Sequence, residues 1–322
     1  MDYSFIVVNY NMAELVVDLV ENIASQLNGD IRYEIIIVDN STDPSSTLAQ
    51  DRFRKQIPVQ LVRLAENKGF VDALNRALPL AIGQWVTVMH PDITFCNGSI
   101  TALSNFLAAN PRAGVISPDI YYPNGDPTKL RLRRPTVASE CRRLGNIFSH
   151  IFLRRKLFAE VAQWDHRDSV EANMVMSVCM MFRREALAAI GRIEPQLLIY
   201  YSNDWMCHRL AKAGWSCHYT STARVIHYER FTPQEKYSSS GNMEYKRSTI
   251  AANPQMRSDY FVYLRAMYSR LEMVLLRTVA LIEDSLQLLS QLKNRNAPAR
   301  SAAIKKMMQS IWVDLGIRYQ RS

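Results

Sequence analysis

The apolar run "WVTVM" ends in His90-Pro91-Asp92, an imidazole and a carboxylate on either side of a proline. Proline biases the residue before it to an extended backbone, so the turn is set and the carboxylate is aimed. A carboxylate just past a strand suits a divalent cation that prefers oxygen ligands. One carboxylate holds such an ion weakly, so a second protein group is needed, and His227, at the end of the later run "CHYTSTARVIHY", is the best placed by pattern. The plain alternative for His227 is a core histidine. His90 is open to three roles: a further ligand, a contact to whatever binds at the crevice, or a filler of the turn. A second carboxylate, Asp204 in "IYYSNDWMCHRL", precedes a helical pattern. It is either an N-cap or a general base, partly desolvated by Tyr200, Tyr201 and Trp205, which would then floor a sugar site.

These residues need strands and helices to bring them together. "YSFIVVNY", "YEIIIVDN", "VQLVRLAE" and "QWVTVMHPD" read as strands, with apolar residues on both faces. Between them "AELVVDLVENIASQL" and "FVDALNRALPLAI" carry helical spacing. The alternation predicts βαβ units, an α/β fold with a mostly parallel central sheet, and a ligand crevice at the carboxyl ends of the strands. Those ends carry Asn9-Tyr10-Asn11, Asp39-Asn40-Ser41, Asn67-Lys68-Gly69 and His90-Pro91-Asp92. Four polar endings at one predicted crevice point to one site. Further on, "ANMVMSVCMMF" reads as a strand, "REALAAIG" as a helix, and the chain from about 255 as mostly helix. Its stripe of Leu271, Val274, Leu275, Thr278, Val279, Ile282, Leu286 and Leu289 would pack on the core or on a second subunit.

Composition narrows the classes. A chain of 322 residues with 48% hydrophobic content buries a substantial core. Five cysteines without a CxxC pair read as reduced thiols rather than disulfides or zinc ligands. The start "MDYSFIVVNYN" has no basic leader, and no run reaches the ~18 uncharged apolar residues of a membrane span. The expected location is cytoplasmic, at most peripheral on the inner face of the membrane. The charge of +9 is concentrated at Lys129, Arg131, Arg133, Arg134, Arg142, Arg143, Arg154, Arg155 and Lys156, opposed only by Glu140. That suits a phosphate-bearing partner or an anionic membrane face, or a solvated surface. Few aromatics interleave the basic run, so nucleic acid is not the expected partner. No GxxxxGK[ST], GxGxxG or GxSxG loop is present, which argues against P-loop, dinucleotide-binding and serine hydrolase chemistry.

The segments "FIVVNYN", "EIIIVDNSTD", "NKGFVDALNRAL", "VMHPDI", "GVISPDIYYPNG", "LRLRRPT", "FRREALAAIG", "LLIYYSNDWMCHRLAKAGW" and "ARVIHY" run in one order over about residues 3 to 228. In these the chain resembles the inverting glycosyltransferases of family two, with the GT-A fold, and especially their bacterial rhamnosyltransferase-like branch. The expected organisation is a GT-A domain over residues 1–235, a nucleotide-binding half to 125 and an acceptor half after it, followed by a helical extension over 236–322 that lies outside the resemblance and is read from its helical spacing. The resemblance implies a nucleotide-sugar donor whose diphosphate is bridged by Mg2+ or Mn2+. Asp39 would then contact the base, with Asn9, Tyr10 and Asn11 lining the nucleotide pocket and Asn67, Lys68, Gly69 and Asn75 completing the phosphate side. Asp92 would be the metal carboxylate of an abbreviated Asp-x-Asp motif, here with His90 in place of the usual Asn, and His227 the late histidine beside metal and diphosphate. The family's base position falls on Asn203, leaving Asp204 one residue away as the expected base. A Gly-Ala pair of the family is replaced by Ser177-Val178.

The implied reaction is inverting transfer of a sugar, with dTDP-rhamnose the leading donor, to a hydroxyl of a cell-surface glycan such as an O-antigen or to a polyprenyl-diphosphate-linked acceptor. Arg131, Arg133, Arg134, Tyr201 and Trp205 are the expected acceptor contacts. A homo-oligomer through the C-terminal helices is the expected assembly. The competing reading is a catalytically impaired nucleotide-sugar-binding subunit of a polysaccharide assembly complex, and a nucleotidyltransferase is a weaker third.

Overall fold

The computed structural model describes residues 1–27, 30–42, 52–128, 130, 132–133, 136–142, 145–146, 164–229 and 254–291. Contacts divide the chain into two compact units, Met1–Arg134 with Gln163–Leu198 and Ser202–Ser239, and Pro135–Ala162 with Ile199–Tyr201 and Ser240–Ser322.

The first unit is built on one mixed sheet. Its strands are β1 Tyr3–Asn9, β2 Tyr33–Asp39, β3 Val59–Arg63, β4 Trp85–Met89, β5 Ile93–Phe95, β6 Ala113–Tyr121, β7 Val170–Ala172, β8 Cys179–Arg183 and β9 Ser216–His227. Among the described residues the order is β3-β2-β1-β4-β8-β6-β9-β5, with β7 also on β9. β1 pairs in parallel with β2 and β4, and β2 with β3. β1 is buried along its whole length, as its apolar run requires of a strand covered on both faces. Helix α1, Ala13–Gln26, turns Val16, Leu19, Val20 and Ile23 inward at helical spacing. Helix α2, Phe70–Ala77, is shorter than the sequence predicts. Pro79 supplies no N–H to continue the ladder, and the chain tightens into a 3-10 turn at Leu78–Leu80.

The remaining elements of this unit are α3 Ser99–Ala109, α4 Arg184–Ile190 and α5 Ser202–Lys212. The expected single strand "ANMVMSVCMMF" is two. β7 ends at Ala172 and pairs antiparallel with β9, whereas β8 begins at Cys179 between β4 and β6. Met174, Val175 and Val178 between them are buried without belonging to a strand. Apolarity records burial, not pairing.

The second unit contains α6 Pro254–Met267 and α7 Arg270–Gln291. Asp259, wholly buried, accepts the backbone N–H of Ile199 and of Tyr200, each at 3.0 Å. Tyr201 stacks on Tyr260 and Tyr263, with centroids 5.2 and 5.7 Å away. Of the predicted α7 stripe, Val279 is buried, and the side chains of Leu286 and Leu289 lie outside the described residues. Leu271, Val274, Leu275 and Ile282 are exposed, and the buried face is Leu276, Val279 and Ala280. Among the described residues no helix is long and apolar enough to cross a membrane.

Candidate active site

The polar ends of β1, β2 and β4 and the segment after β3 meet at one edge of the sheet. There the structure joins His90, Asp92 and His227, each offering a ligand atom within 4.8 Å of the others. The cause is strand pairing. β4 stops at Met89, the chain turns through His90-Pro91-Asp92, and β5 pairs antiparallel with β9 so that Ile93 stands opposite His227. Tyr228 N–H donates to the Asp92 carbonyl at 3.0 Å, which pins the turn to the end of β9. Asp92 Oδ1 then lies 3.3 Å from His227 Nε2, and the His90 and His227 rings are 5.6 Å apart.

Burial, then the neighbouring His227, lowers the His90 imidazole to about 4 against the opposing pull of Asp92. The ring is therefore neutral near pH 7, with a lone pair to offer. Nδ1 of His227 is buried without a hydrogen-bond partner. Two imidazoles around a carboxylate that is only 6% exposed form a donor set that fits a divalent cation. Ser177, where the family pattern has Gly, places its hydroxyl 3.3 Å from His90 Nε2. The departures at positions 90 and 177 are thus one contact, which linear reading could not pair.

Side chains lace the other strand ends together. Asn9 Nδ2 donates to Asp39 Oδ1 at 3.0 Å and to Ser41 Oγ at 2.9 Å, while its Oδ1 accepts the Met12 N–H at 3.0 Å. Asn9 and Asp39 are buried, Asn11 lies beside them with φ 56° and its N–H on Ser41 Oγ, and Tyr10 is exposed. Asn40 donates to Asn67 Oδ1 at 2.7 Å, and the same oxygen accepts the Gly69 N–H at 2.9 Å. Lys68 is exposed and pairs with Glu66 at 2.7 Å. Asn75 is drawn elsewhere. Its amide exchanges two hydrogen bonds with the Ile193 backbone, and it lines a cleft of about 530 Å³ with Val86 near the amino end of β4.

Gly69 opens α2 at φ 92°, and a Cβ there would stand 2.7 Å from the Leu198 carbonyl oxygen. Both the backbone conformation and the space exclude a side chain. Gly69→Ala is expected to destabilise the fold by about 1–3 kcal/mol and to shift the Asn40–Asn67 contact, measured as a lowered urea midpoint.

Asp204 lies inside the first turn of α5 rather than at its N-cap, and is 4% exposed. Asn203 spends its side-chain N–H on the Val175 carbonyl at 2.9 Å. Trp205 is buried, with Arg209 stacked 5.6 Å from its ring, so it belongs to the core and not to an open sugar floor. Tyr201 falls in the second unit. Arg133 is exposed, and Arg131 and Arg134 lie outside the described residues.

The model of glycosyl transferase family 2 matches residues 4–191. An N-acetylglucosaminyl-diphospho-decaprenol L-rhamnosyltransferase of Mycobacterium tuberculosis (strain ATCC 25618 / H37Rv) is 25% identical over 211 residues. That match covers 61% of this chain and 66% of the relative, just short of two thirds of its length. Among solved structures, GalNAc-T7 with UDP, GalNAc and Mn2+ aligns with a TM-score of 0.58 at 14% identity, over 98% of this chain and 57% of that one. The mannosyltransferase PcManGT from Pyrobaculum calidifontis, in complex with GDP-Man and Mn2+, aligns with a TM-score of 0.52 at 17% identity, over 98% and 76%. The fold is GT-A, with a helical C-terminal region, and the chain belongs to glycosyl transferase family 2.

Proposed function

We propose that this chain is an inverting, metal-dependent glycosyltransferase that moves a sugar from a nucleotide-sugar donor to a hydroxyl of a glycan or polyprenyl-diphosphate-linked acceptor. The observation that carries the reading is the His90–Asp92–His227 group at the same sheet edge as the Asn9–Asp39–Ser41 and Asn40–Asn67–Gly69 networks. Asp39 and Asn9 recognise the nucleoside, and the backbone around Gly69 admits the diphosphate. His90, Asp92 and His227 hold Mn2+ or Mg2+, and two imidazoles favour Mn2+. Once bound, the ion neutralises charge on the departing nucleoside diphosphate.

Asp204 receives the proton of the attacking hydroxyl. Its burial keeps bulk water away from the proton transfer. The rhamnosyltransferase relative supports dTDP-rhamnose as the first donor to try and a lipid-linked acceptor as the first class. The exposed Arg133 and the basic residues around it suit a phosphate-bearing acceptor or the surface of an anionic membrane. The burial of Asp204 and the amide at Asn203 favour a second reading, a nucleotide-sugar-binding subunit without turnover.

The test is thermal unfolding with UDP-, GDP- and dTDP-sugars, with Mn2+, with Mg2+ and with a chelator. A donor at about a hundred times its Kd adds ~2.7 kcal/mol. One donor class should stabilise the protein, at lower concentrations of Mn2+ than of Mg2+, and lose the effect in chelator. No stabilisation by any donor would overturn the reading.

A further inference from the structure

The carboxyl end of β6 carries a second polar cluster that the donor and metal roles leave unused. Asp119 stands within the apolar strand "AGVISPDIY" at 0% exposure. Its Oδ1 is 2.7 Å from Nδ1 of His166, and the Tyr121 hydroxyl is a second hydrogen-bonding neighbour of the carboxylate. A wholly buried carboxylate needs a compensating partner, and here the partner comes from a separate segment of chain.

His166 is held on several sides. Its backbone is left-handed, at φ 61°, and the Trp164 ring lies 4.8 Å from its own. Trp164 is fixed in turn, by its indole N–H on the Asp168 carbonyl at 2.8 Å and by stacking on Tyr219. The His166 side chain keeps 16% exposure, and among the described residues Nδ1–Asp119 is its one hydrogen bond. In its neutral form, with Asp119 accepting from Nδ1–H, the ring presents the lone pair of Nε2 as an acceptor at a set place.

Residues i and i+2 of a strand share a face, so Tyr121 lies beside Asp119, and the register sets Arg224 of β9 opposite Asp119. The Arg224 guanidinium covers the Tyr121 ring at 4.1 Å and donates to its hydroxyl at 3.3 Å. Burial first, then the Asp119 charge, raise the Tyr121 phenol above its ordinary value against Arg224, so its proton stays in place.

The cluster therefore offers an oriented imidazole acceptor, a phenol and an exposed guanidinium, while the buried Trp164 and Tyr219 rings fix the imidazole from behind. Its one buried anion offsets its one cation, which does not select a phosphate, and it contributes too few ligands for a metal. An acceptor nitrogen beside a guanidinium donor matches a sugar hydroxyl, which both donates and accepts. Tyr121 pairs with Ile226, the neighbour of His227, so the cluster lies one strand from the metal group. Alternation along β9 turns Arg224 and His227 to opposite faces.

We propose that Asp119 and His166 form a saccharide-binding pair for the acceptor, in which His166 Nε2 takes a hydrogen bond from a sugar hydroxyl and Asp119 sets the tautomer. The proposal rests on the reading that the acceptor is a glycan. Asp119 and His166 act as positioning residues, away from the bond that is made. A pair that only fastened the segment would give the same distances, so the test reads ligand binding and tautomer.

Full-length protein labelled with 15N-histidine is titrated with the methyl glycosides of rhamnose, glucose, galactose and N-acetylglucosamine. The wild type should show a Nδ1-protonated His166, and its Nε2 resonance should move saturably with at least one glycoside. Asp119→Asn removes the charge that holds the proton on Nδ1, so the preference for that tautomer should fall and that glycoside should bind about three- to tenfold more weakly. Thermal unfolding and nucleoside diphosphate binding with Mn2+, read on the same samples, should stay as in the wild type. If Asp119→Asn does not fold, His166→Gln removes the imidazole and should weaken the glycoside similarly. A stationary Nε2 resonance with all four glycosides, or wild-type affinity in the folded variant, overturns the proposal. A loss of nucleotide binding in the wild type would count instead against the glycosyltransferase reading.

Discussion

Asp92→Asn is expected to abolish Mn2+-dependent donor binding and to lower sugar transfer by about 10²–10⁴-fold, the loss of roughly 3–5 kcal/mol of charge stabilisation. The substitution keeps the shape of the side chain and leaves the backbone bond from Tyr228 N–H to the Asp92 carbonyl intact. What it removes is the only carboxylate of the His90–Asp92–His227 group. Two neutral imidazoles cannot balance a divalent cation and a diphosphate at once. Titration calorimetry with Mn2+ in the presence of nucleoside diphosphate, beside a turnover assay, checks both halves. Wild-type Mn2+ affinity in the variant would show that the ion is held elsewhere.

Asp204→Asn should separate chemistry from binding. Removal of a general base costs about 10²–10⁴ in turnover. The Asn9–Asp39–Ser41 network is not touched by the change, so donor Kd should stay within twofold of wild type. The amide also fits the volume of the buried carboxylate, so melting should change little. Single-turnover transfer and donor titration on the same preparation give the two numbers. Unchanged turnover would remove Asp204 from the reaction. A wild type that binds donor and never transfers would favour the assembly-subunit reading.

The early βαβ units were legible because each strand is an unbroken apolar run and each helix a periodic one, as in β1 and α1. Harder to see was which elements meet. His227 reaches Asp92 only because β5 pairs antiparallel with β9, and three-residue β5 leaves almost no pattern. The α7 stripe did not show which side faces its own unit, because the helix is apolar on two faces. The inner one holds Leu276, Val279 and Ala280, and Arg277 is laid over Phe261 at 4.8 Å. Trp205 looked like a sugar platform beside Asp204, but its place in the first turns of α5 turns it into the core. Asp119 gave a signal, a carboxylate in the middle of an apolar run. Its partner His166 lies 47 residues away and shares no local pattern with it.

The central claim is that a metal group at the strand ends drives cleavage of a nucleotide sugar. Nucleoside diphosphate release, followed across UDP-, GDP- and dTDP-sugars with Mn2+ and again after chelation, tests it most directly. The account predicts release from one donor class, lost in chelator, restored by added Mn2+ and missing in Asp92→Asn. Release that persists in chelator and in Asp92→Asn would contradict it.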